Sequence, residues 1–278
     1  MNILLRQMKI TALKVSIAKL LYKVTKIFYR KDVYPKKIGN INLELHLNEG
    51  IDLHLFLFSN FQKHVFDNEI VQIKKDAVIF DVGANAGYLT LFFADMVTNG
   101  HVHAFEPTHY AIQKLVKNAS LNPELKKRIT VNQCFVSDQD NQKDLVAYSS
   151  WPLTGNESTH SIHKGVAKST EDVTSITLDS YCDKHSIDRL DLIKIDTDGH
   201  EFDVLTGAQN VIKRFQPQIV FEVGGYILDE QNTPFEGFID FFNDLGYKIY
   251  TIKGKVIERS NFKNIIPQYG TIDVIASK

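Results

Sequence analysis

The chain has 278 residues, of which 44% are apolar and 23% are charged, values that are ordinary for a globular protein and exclude a largely disordered chain. Its 32 lysine and arginine residues nearly balance 33 aspartate and glutamate residues. The resulting net charge of -1 excludes a protein-wide field that would attract nucleic acid, so no nucleic-acid partner is expected.

The N-terminal segment is basic. Residues 1–31 carry eight lysines and arginines and no acidic residue. Apolar residues recur at helical spacing between Leu13 and Phe28, while Lys19 and Lys23 share another face. The pattern predicts an amphipathic helix within residues 1–38. We favour a helix that packs on the domain with its lysines in water; the alternative is peripheral contact with an anionic membrane.

Residues 39–75 are predicted to form an N-terminal extension that contains a hairpin. Apolar residues alternate with polar ones from Ile41 to Leu47, turn residues follow at 48–50, and a second β-rich run covers residues 53–58. The main domain then occupies residues 76–278.

In the main domain, apolar β-rich runs alternate with helical stretches, which is the pattern of a parallel sheet with crossover helices. Strands are predicted at 78–82, 101–105, 129–136, 192–195 and 219–223, and helices at 87–96, 108–121, 177–184, 200–214 and 234–245. A closing pair at 248–252 and 272–276 is predicted as an antiparallel hairpin at the sheet edge. The long polar stretch 137–172, which includes His160 and His163, is predicted to be a substrate-side insertion or lid.

The first predicted strand runs into a turn of small residues. Asp81 ends the strand, and Gly83, Asn85 and Gly87 follow before the next helix begins. Glycines allow a ligand to approach the backbone closely, and the helix N-terminus supplies free N–H groups. The G-x-x-x-G spacing differs from the G-x-G-x-x-G of dinucleotide sites, which disfavours a nicotinamide oxidoreductase. Glu106 ends the second strand, where an acidic residue can take ribose hydroxyls.

Three blocks of sequence resemble the FkbM-type methyltransferase family: FDVGANAGYLTLFFA at 80–94, AFEPTHYAIQKLVKNASLN at 104–122, and LDLIKIDTDGHEFDVLTGAQNVI at 190–212 with PQIVFEV at 217–223. The resemblance implies a class I, Rossmann-like α/β fold, with a mostly parallel seven-stranded sheet and helices on both faces. It also implies S-adenosylmethionine as methyl donor and O-methylation of hydroxyls on sugars or sugar-containing compounds.

Carried across by position, the resemblance implies that Asp81, Gly83, Asn85 and Gly87 line the methionine end of the donor and Glu106 its ribose. The family's block after the fourth strand usually has the pattern D-x-E-G-x-E. Here it is DTDGHE at 196–201, so that Asp198 is one methylene shorter than the expected glutamate.

Two residues of this block are candidates for chemistry. Asp196 ends a buried strand and can either hold the donor or accept a proton from the acceptor hydroxyl. His200 opens the next helix and is the other candidate base. A divalent metal site formed by Asp196, Asp198, His200, Glu201 and Glu222 is a weaker alternative, and no metal is expected.

The expected location is cytoplasmic, with peripheral membrane contact as an option. The two cysteines, Cys134 and Cys182, form no C-x-x-C pair, so neither a disulfide framework nor a thiolate metal site is predicted. A different class of function is a non-catalytic adaptor that keeps the Rossmann-like core and docks to a membrane or partner through the basic helix.

Overall fold

A computed structural model describes residues 10–59, 62–143, 145–149, 152–154 and 166–278. His160 and His163 lie outside the described residues. Within them, no helix is both long enough and apolar enough to cross a bilayer.

The N-terminal extension is a helix, a hairpin and a second helix. Its elements are α1 (Ile10–Phe28), β1 (Val33–Ile38), β2 (Ile41–His46), α2 (Gly50–Phe58) and a 3-10 turn at Lys63–Val65. One side of α1 packs through Ala18, Leu21 and Tyr22 against the extension and the insertion. The predicted amphipathic helix is therefore present, whereas the hairpin pairs Val33–Ile38 with Ile41–His46 and so differs from the predicted one.

The second strand of the hairpin is not where the sequence pattern places it. β1 pairs antiparallel with β2, whereas residues 53–58 lie in α2, so their prediction as a strand is wrong. A short apolar run does not distinguish a strand from a buried helix by periodicity alone. Asp52, in the first turn of α2, accepts hydrogen bonds from the His46 N–H at 2.7 Å and the Tyr88 hydroxyl at 2.6 Å, which hold this helix against the sheet domain.

The main domain alternates strands and helices. In chain order they are β3 (Val78–Val82), α3 (Tyr88–Met96), β4 (His101–Phe105), α4 (His109–Ser120), α5 (Pro123–Lys126), β5 (Ile129–Asn132), β6 (Phe135–Val136), β7 (Ala147–Ser149), β8 (Val166–Lys168), β9 (Ser175–Ile176), α6 (Leu178–Lys184), β10 (Leu192–Ile195), α7 (Glu201–Thr206), α8 (Gln209–Phe215), β11 (Gln218–Val223), α9 (Gly225–Glu230), α10 (Phe235–Asp244), β12 (Lys248–Thr251), β13 (Val256–Ile257), α11 (Phe262–Ile265) and β14 (Ile272–Ser277).

In the described part of the chain, the main sheet has the order β13-β12-β14-β11-β10-β3-β4-β5. The five strands from β11 to β5 are parallel, and β14 pairs antiparallel with both β11 and β12. Successive residues of a strand point to opposite faces of a sheet, so Phe80 packs in one apolar core and Ile79 in the other. The Rossmann-like sheet with helices on both faces is confirmed, and the short β13 is added at its edge.

Three predicted elements differ in detail. The strand predicted at 129–136 is two strands, because β6 leaves the main sheet and pairs with β9. The helix predicted at 200–214 is divided into α7 and α8 at Gly207, where an added Cβ would lie 2.1 Å from the carbonyl oxygen of Ser137. The closing pair is antiparallel but is not an edge hairpin, because β14 lies between β11 and β12.

Candidate functional site

A cavity of about 1050 Å³ lies at the carboxyl ends of β3, β4 and β10. In a doubly wound sheet this is where ligands bind, because the strand order reverses between neighbouring strands and leaves a crevice. Here the reversal falls between β3 and β10. The helices α1 and α2, together with residues 134–138 and 145–147, complete the wall.

The turn after β3 requires glycine for two different reasons. Gly83 has φ +79°, and a Cβ there would lie 1.8 Å from the carbonyl oxygen of Asp196, so the end of β10 passes directly against this residue. Gly87 has φ +80°, and a Cβ there would lie 2.7 Å from Leu115 Cγ. Gly83 lines the cavity, whereas Gly87 packs against α4 and does not. Gly87 therefore shapes the turn from behind.

Glu106 ties this turn to the end of β4. Its carboxylate accepts hydrogen bonds from the Asn85 N–H at 2.9 Å, the Thr108 N–H at 3.0 Å and the Thr108 hydroxyl at 2.6 Å. Only 6% of the residue is exposed, and burial raises the pKa of its carboxyl. Asn85 and Glu106 both line the cavity, so the structure brings together these two residues predicted from different motifs.

Asp81 is a buried carboxylate at the base of the cavity. It accepts a hydrogen bond from the Thr90 hydroxyl at 2.5 Å, and burial raises its pKa from 3.8 to about 6 despite that bond. Keeping a carboxylate buried costs free energy of folding, and such perturbed groups cluster at functional sites. A cationic ligand group beside it would lower that cost.

Replacing Asp81 by asparagine should change the pH dependence of stability. Below about pH 4 the carboxyl is protonated in both the folded and the unfolded chain. Between the unfolded value of 3.8 and the folded value of about 6, the unfolded chain loses its proton first, so rising pH favours unfolding. The asparagine variant has no carboxyl to titrate at this position. Its free energy of unfolding should therefore rise by about 3 kcal/mol relative to that of the wild type between pH 4 and pH 7.

Urea denaturation at the two pH values measures this difference. Asp188→Asn, at an exposed carboxylate, is the matched control and should follow the wild type. An equal stability difference between Asp81→Asn and the wild type at both pH values would show that Asp81 titrates normally.

Lys194 brings a buried positive charge to the end of β10. Its side chain is 0% exposed, and its ammonium lies 3.2 Å from Asp196 Oδ2 and 3.4 Å from Asp273 Oδ1. These carboxylates raise its pKa although burial opposes this. Gln62, from the extension, donates a second hydrogen bond to Asp196 Oδ2 at 2.9 Å. Asp196 is thus held in a fixed position at the cavity wall.

The turn after Asp196 presents two more titratable groups. Glu201 is turned inward and accepts from the backbone N–H groups of Thr197 at 2.9 Å and Gly199 at 3.2 Å, which stabilises the start of α7. Asp198 has φ +53° and is an exposed residue that faces the cavity; partial loss of solvent inside the cavity and the charges of Asp196 and Glu201 raise its pKa to about 8. A proton acceptor with such a pKa suits catalysis near neutral pH.

His200 also lines the cavity. Its Nδ1 lies 3.1 Å from Asp203 Oδ2, and this hydrogen bond raises the pKa of the imidazole and favours its protonated form. Asp198 was not among the predicted catalytic residues, although its place in the DTDGHE block was a signal. Within the described residues, no group of three or more His, Cys, Asp and Glu side chains is placed to hold a metal ion.

The cavity is therefore strongly acidic. Seven carboxyl groups of the described residues line it, against the ammonium groups of Lys63 and Lys194: Asp81, Glu106, Asp138, Asp196, Asp198, Asp203 and Glu222. Such a site favours a ligand that carries positive charge. Leu145, Val146 and Ala147 of the insertion add apolar surface to the wall.

Known proteins with similar sequences include methyltransferases. The family model of the methyltransferase FkbM domain matches residues 81–249. Hexuronic acid methyltransferase AglP of Haloferax volcanii is 24% identical over 142 residues, which are 51% of this chain and 54% of that protein. Methyltransferase sdnD of Sordaria araneosa is 25% identical over 199 residues, which are 63% of this chain and 76% of that protein.

Among solved structures, methyltransferase FkbM of Methylobacillus flagellatus is 16% identical, with a TM-score of 0.45 over 74% of this chain and 45% of that chain. The match with this chain thus spans about half the length of that protein and of AglP.

Proposed function

The chain belongs to the FkbM methyltransferase family, and we propose that it transfers a methyl group from S-adenosylmethionine to a hydroxyl of a sugar, glycan or sugar-containing metabolite. The observation that carries this proposal is the meeting of three strand-end carboxylates, Asp81, Glu106 and Asp196, around one cavity beside the turn at Gly83.

The residues at the cavity fit this donor. S-adenosylmethionine carries an ammonium and a sulfonium, and the acidic cavity provides buried carboxylates for positive charge. Asp81 and Asp196 would bind the methionine end of the donor, and Gly83 and Asn85 would lie beside it. Glu106 would accept hydrogen bonds from the ribose hydroxyls. When bound, the donor supplies a methyl group on a strongly electrophilic sulfur. The protein's task is then mainly to align the acceptor and exclude water.

For the acceptor side, Asp196, Asp198 and His200 all line the cavity and lie within five residues of one another in the chain. A hydroxyl that attacks the methyl group must lose its proton, and a side chain within hydrogen-bond reach can take it. Asp196 is held by Lys194 and Gln62, which suits a positioning role. Asp198 lines the cavity, and its pKa of about 8 makes it a base above that pH. His200 Nδ1 is engaged by Asp203 Oδ2 at 3.1 Å, which raises the pKa of the imidazole. We therefore assign the proton acceptor to Asp198, with His200 as the alternative.

This assignment predicts a specific pH profile. Because the pKa of Asp198 is about 8, the rate of methyl transfer should rise with pH through about 8 as this carboxyl loses its proton. Asp198→Asn should remove that rise and lower the rate ~100-fold or more. His200→Gln is the comparison variant and should keep the rise. A rise that persists in Asp198→Asn and disappears in His200→Gln would assign the base to His200.

A sugar hydroxyl is supported as the acceptor by the relative from Haloferax volcanii, whose name gives hexuronic acid as its substrate. The test is transfer of labelled methyl groups from S-adenosylmethionine into fractionated cell extract, followed by chemical identification of the product. We expect a methyl ether on a sugar; label on a nitrogen, a carbon or a protein side chain would contradict the proposal.

A further inference from the structure

An unusually apolar surface lies beside the mouth of the cavity. Seven large apolar side chains there are 37–76% exposed, and together we call them the apolar face: Ile17, Leu20, Val24, Ile27 and Phe28 of α1, with Leu57 and Phe58 at the end of α2. Single exposed apolar residues are normal, but a contiguous group of this kind marks an interaction site.

The helix α1 has two apolar sides, of which the domain covers one. Ala18, Leu21 and Tyr22 contact the extension and the insertion, and Thr25 is buried beside them. The five exposed residues of α1 follow one another at intervals of one, three or four, so they form a second stripe along the same helix. The favoured interpretation from sequence, a helix packed on the domain, therefore accounts for only part of its apolar surface.

The charges around the apolar face are positive. Lys19 and Lys23 are exposed on the side of α1 that neighbours the apolar stripe, and Arg30 and Lys31 are exposed just beyond its end. The first acidic residue of the chain, Asp32, is paired with Lys26 at 2.9 Å. An apolar stripe flanked by lysines is the arrangement of helices that lie in the interface of an anionic bilayer.

The apolar face is continuous with the cavity. Ile17, Leu57 and Phe58 belong to both, and the packed residues Ala18 and Leu21 line the cavity from the same helix. A surface that covers the apolar face would therefore also meet the rim of the cavity.

We propose that the apolar face docks on an anionic lipid bilayer, so that the cavity opens at the lipid surface. The apolar side chains enter the boundary between headgroups and acyl chains, and Lys19, Lys23, Arg30 and Lys31 reach the phosphates. A second copy of this chain fits the face less well, because two-fold pairing would bring two sets of these basic side chains into one interface.

The position of the cavity then restricts the acceptor. An acceptor that enters from the lipid surface is an amphiphile, with an apolar part along Ile17 and Phe58 and its hydroxyl near Asp198. This consequence rests on the proposed function, whereas docking itself does not.

Co-sedimentation of the full chain with vesicles tests the docking. One set of vesicles contains phosphatidylcholine alone and the other an equal mixture of phosphatidylcholine and phosphatidylglycerol. We expect at least tenfold stronger binding to the anionic vesicles than to the neutral ones. High salt should reduce this preference. The triple variant Leu20→Asn, Ile27→Asn, Phe28→Asn should lose at least tenfold in binding. Val116→Asn, on another exposed apolar residue, is the control and should bind like the wild type.

Two measurements make each outcome decisive. Titration with S-adenosylhomocysteine should give the same affinity for the triple variant and the wild type, because none of the three residues lines the cavity. If the wild type does not bind S-adenosylhomocysteine, this result counts against the proposed function and not against docking. Light scattering without lipid should show a monomer. Equal vesicle binding by the wild type and the triple variant, or a lipid-free dimer that the variant dissociates, would overturn the proposal.

Discussion

Replacing Gly83 by alanine is expected to eliminate donor binding and to destabilise the protein. The added Cβ would lie 1.8 Å from the carbonyl oxygen of Asp196, so either β10 must move away from β3 or the turn must refold. Both changes displace Asp81 and Asp196, the two carboxylates proposed for the methionine end. We expect a loss of ~3 kcal/mol in the free energy of unfolding, in the range for a severe core clash.

Gly254→Ala separates the clash from the effect of backbone conformation. Gly254 also has a left-handed backbone, with φ +76°, but an added Cβ there meets no atom within 4 Å. Its replacement should cost about 1 kcal/mol from the backbone conformation alone and leave donor binding unchanged. Urea denaturation and titration with S-adenosylhomocysteine measure the two effects. If both variants lost the same stability and both still bound the product, the close contact of Gly83 with Asp196 would be wrong.

Replacing Lys194 by methionine is expected to be the most destabilising change of a charged residue. Methionine fills similar space but removes the buried ammonium beside Asp273, which is 8% exposed and then keeps only His64, whose Nε2 lies 2.6 Å from Asp273 Oδ2. Removing one partner of a buried ion pair costs about 3–5 kcal/mol. For a protein of this size, that corresponds to a fall of about 10 °C in Tm.

A double variant shows whether the charge is the cause. In Lys194→Met with Asp273→Asn, both charges are absent, so the double variant should be more stable than the sum of the single effects predicts. Lys248→Met, at an exposed lysine of the same sheet, is the control and should change Tm little. Additive effects of the two buried substitutions would indicate that Lys194 does not stabilise Asp273.

The sequence predicted the part of the site that depends on local motifs. Asp81 and Glu106 end neighbouring strands in a regular β-α-β pattern, so their meeting follows from the direction of parallel strands. Asp196 was placed at the same edge for the same reason. For Gly87, the sequence pattern identifies the glycine but not the reason for it. A ligand could require it, but in the structure the close neighbour is Leu115.

Long-range partners could not be predicted. Gln62 is 134 residues from Asp196 and lies outside every motif, and Asp273 reaches Lys194 only because β14 is inserted next to β11. Both contacts depend on the path of the chain and not on local spacing. The exposure of the apolar stripe of α1 could not be predicted for a similar reason. The sequence pattern shows that the helix is amphipathic, but it does not show how much of its apolar surface the domain covers.

We propose that the acidic cavity at the ends of β3, β4 and β10 binds S-adenosylmethionine. Isothermal titration of the folded wild-type protein with S-adenosylhomocysteine tests it most directly. We expect saturable binding at one site, with an affinity that falls at least tenfold in Asp81→Ala. A folded sample that releases no heat and shows no binding would contradict the proposed function.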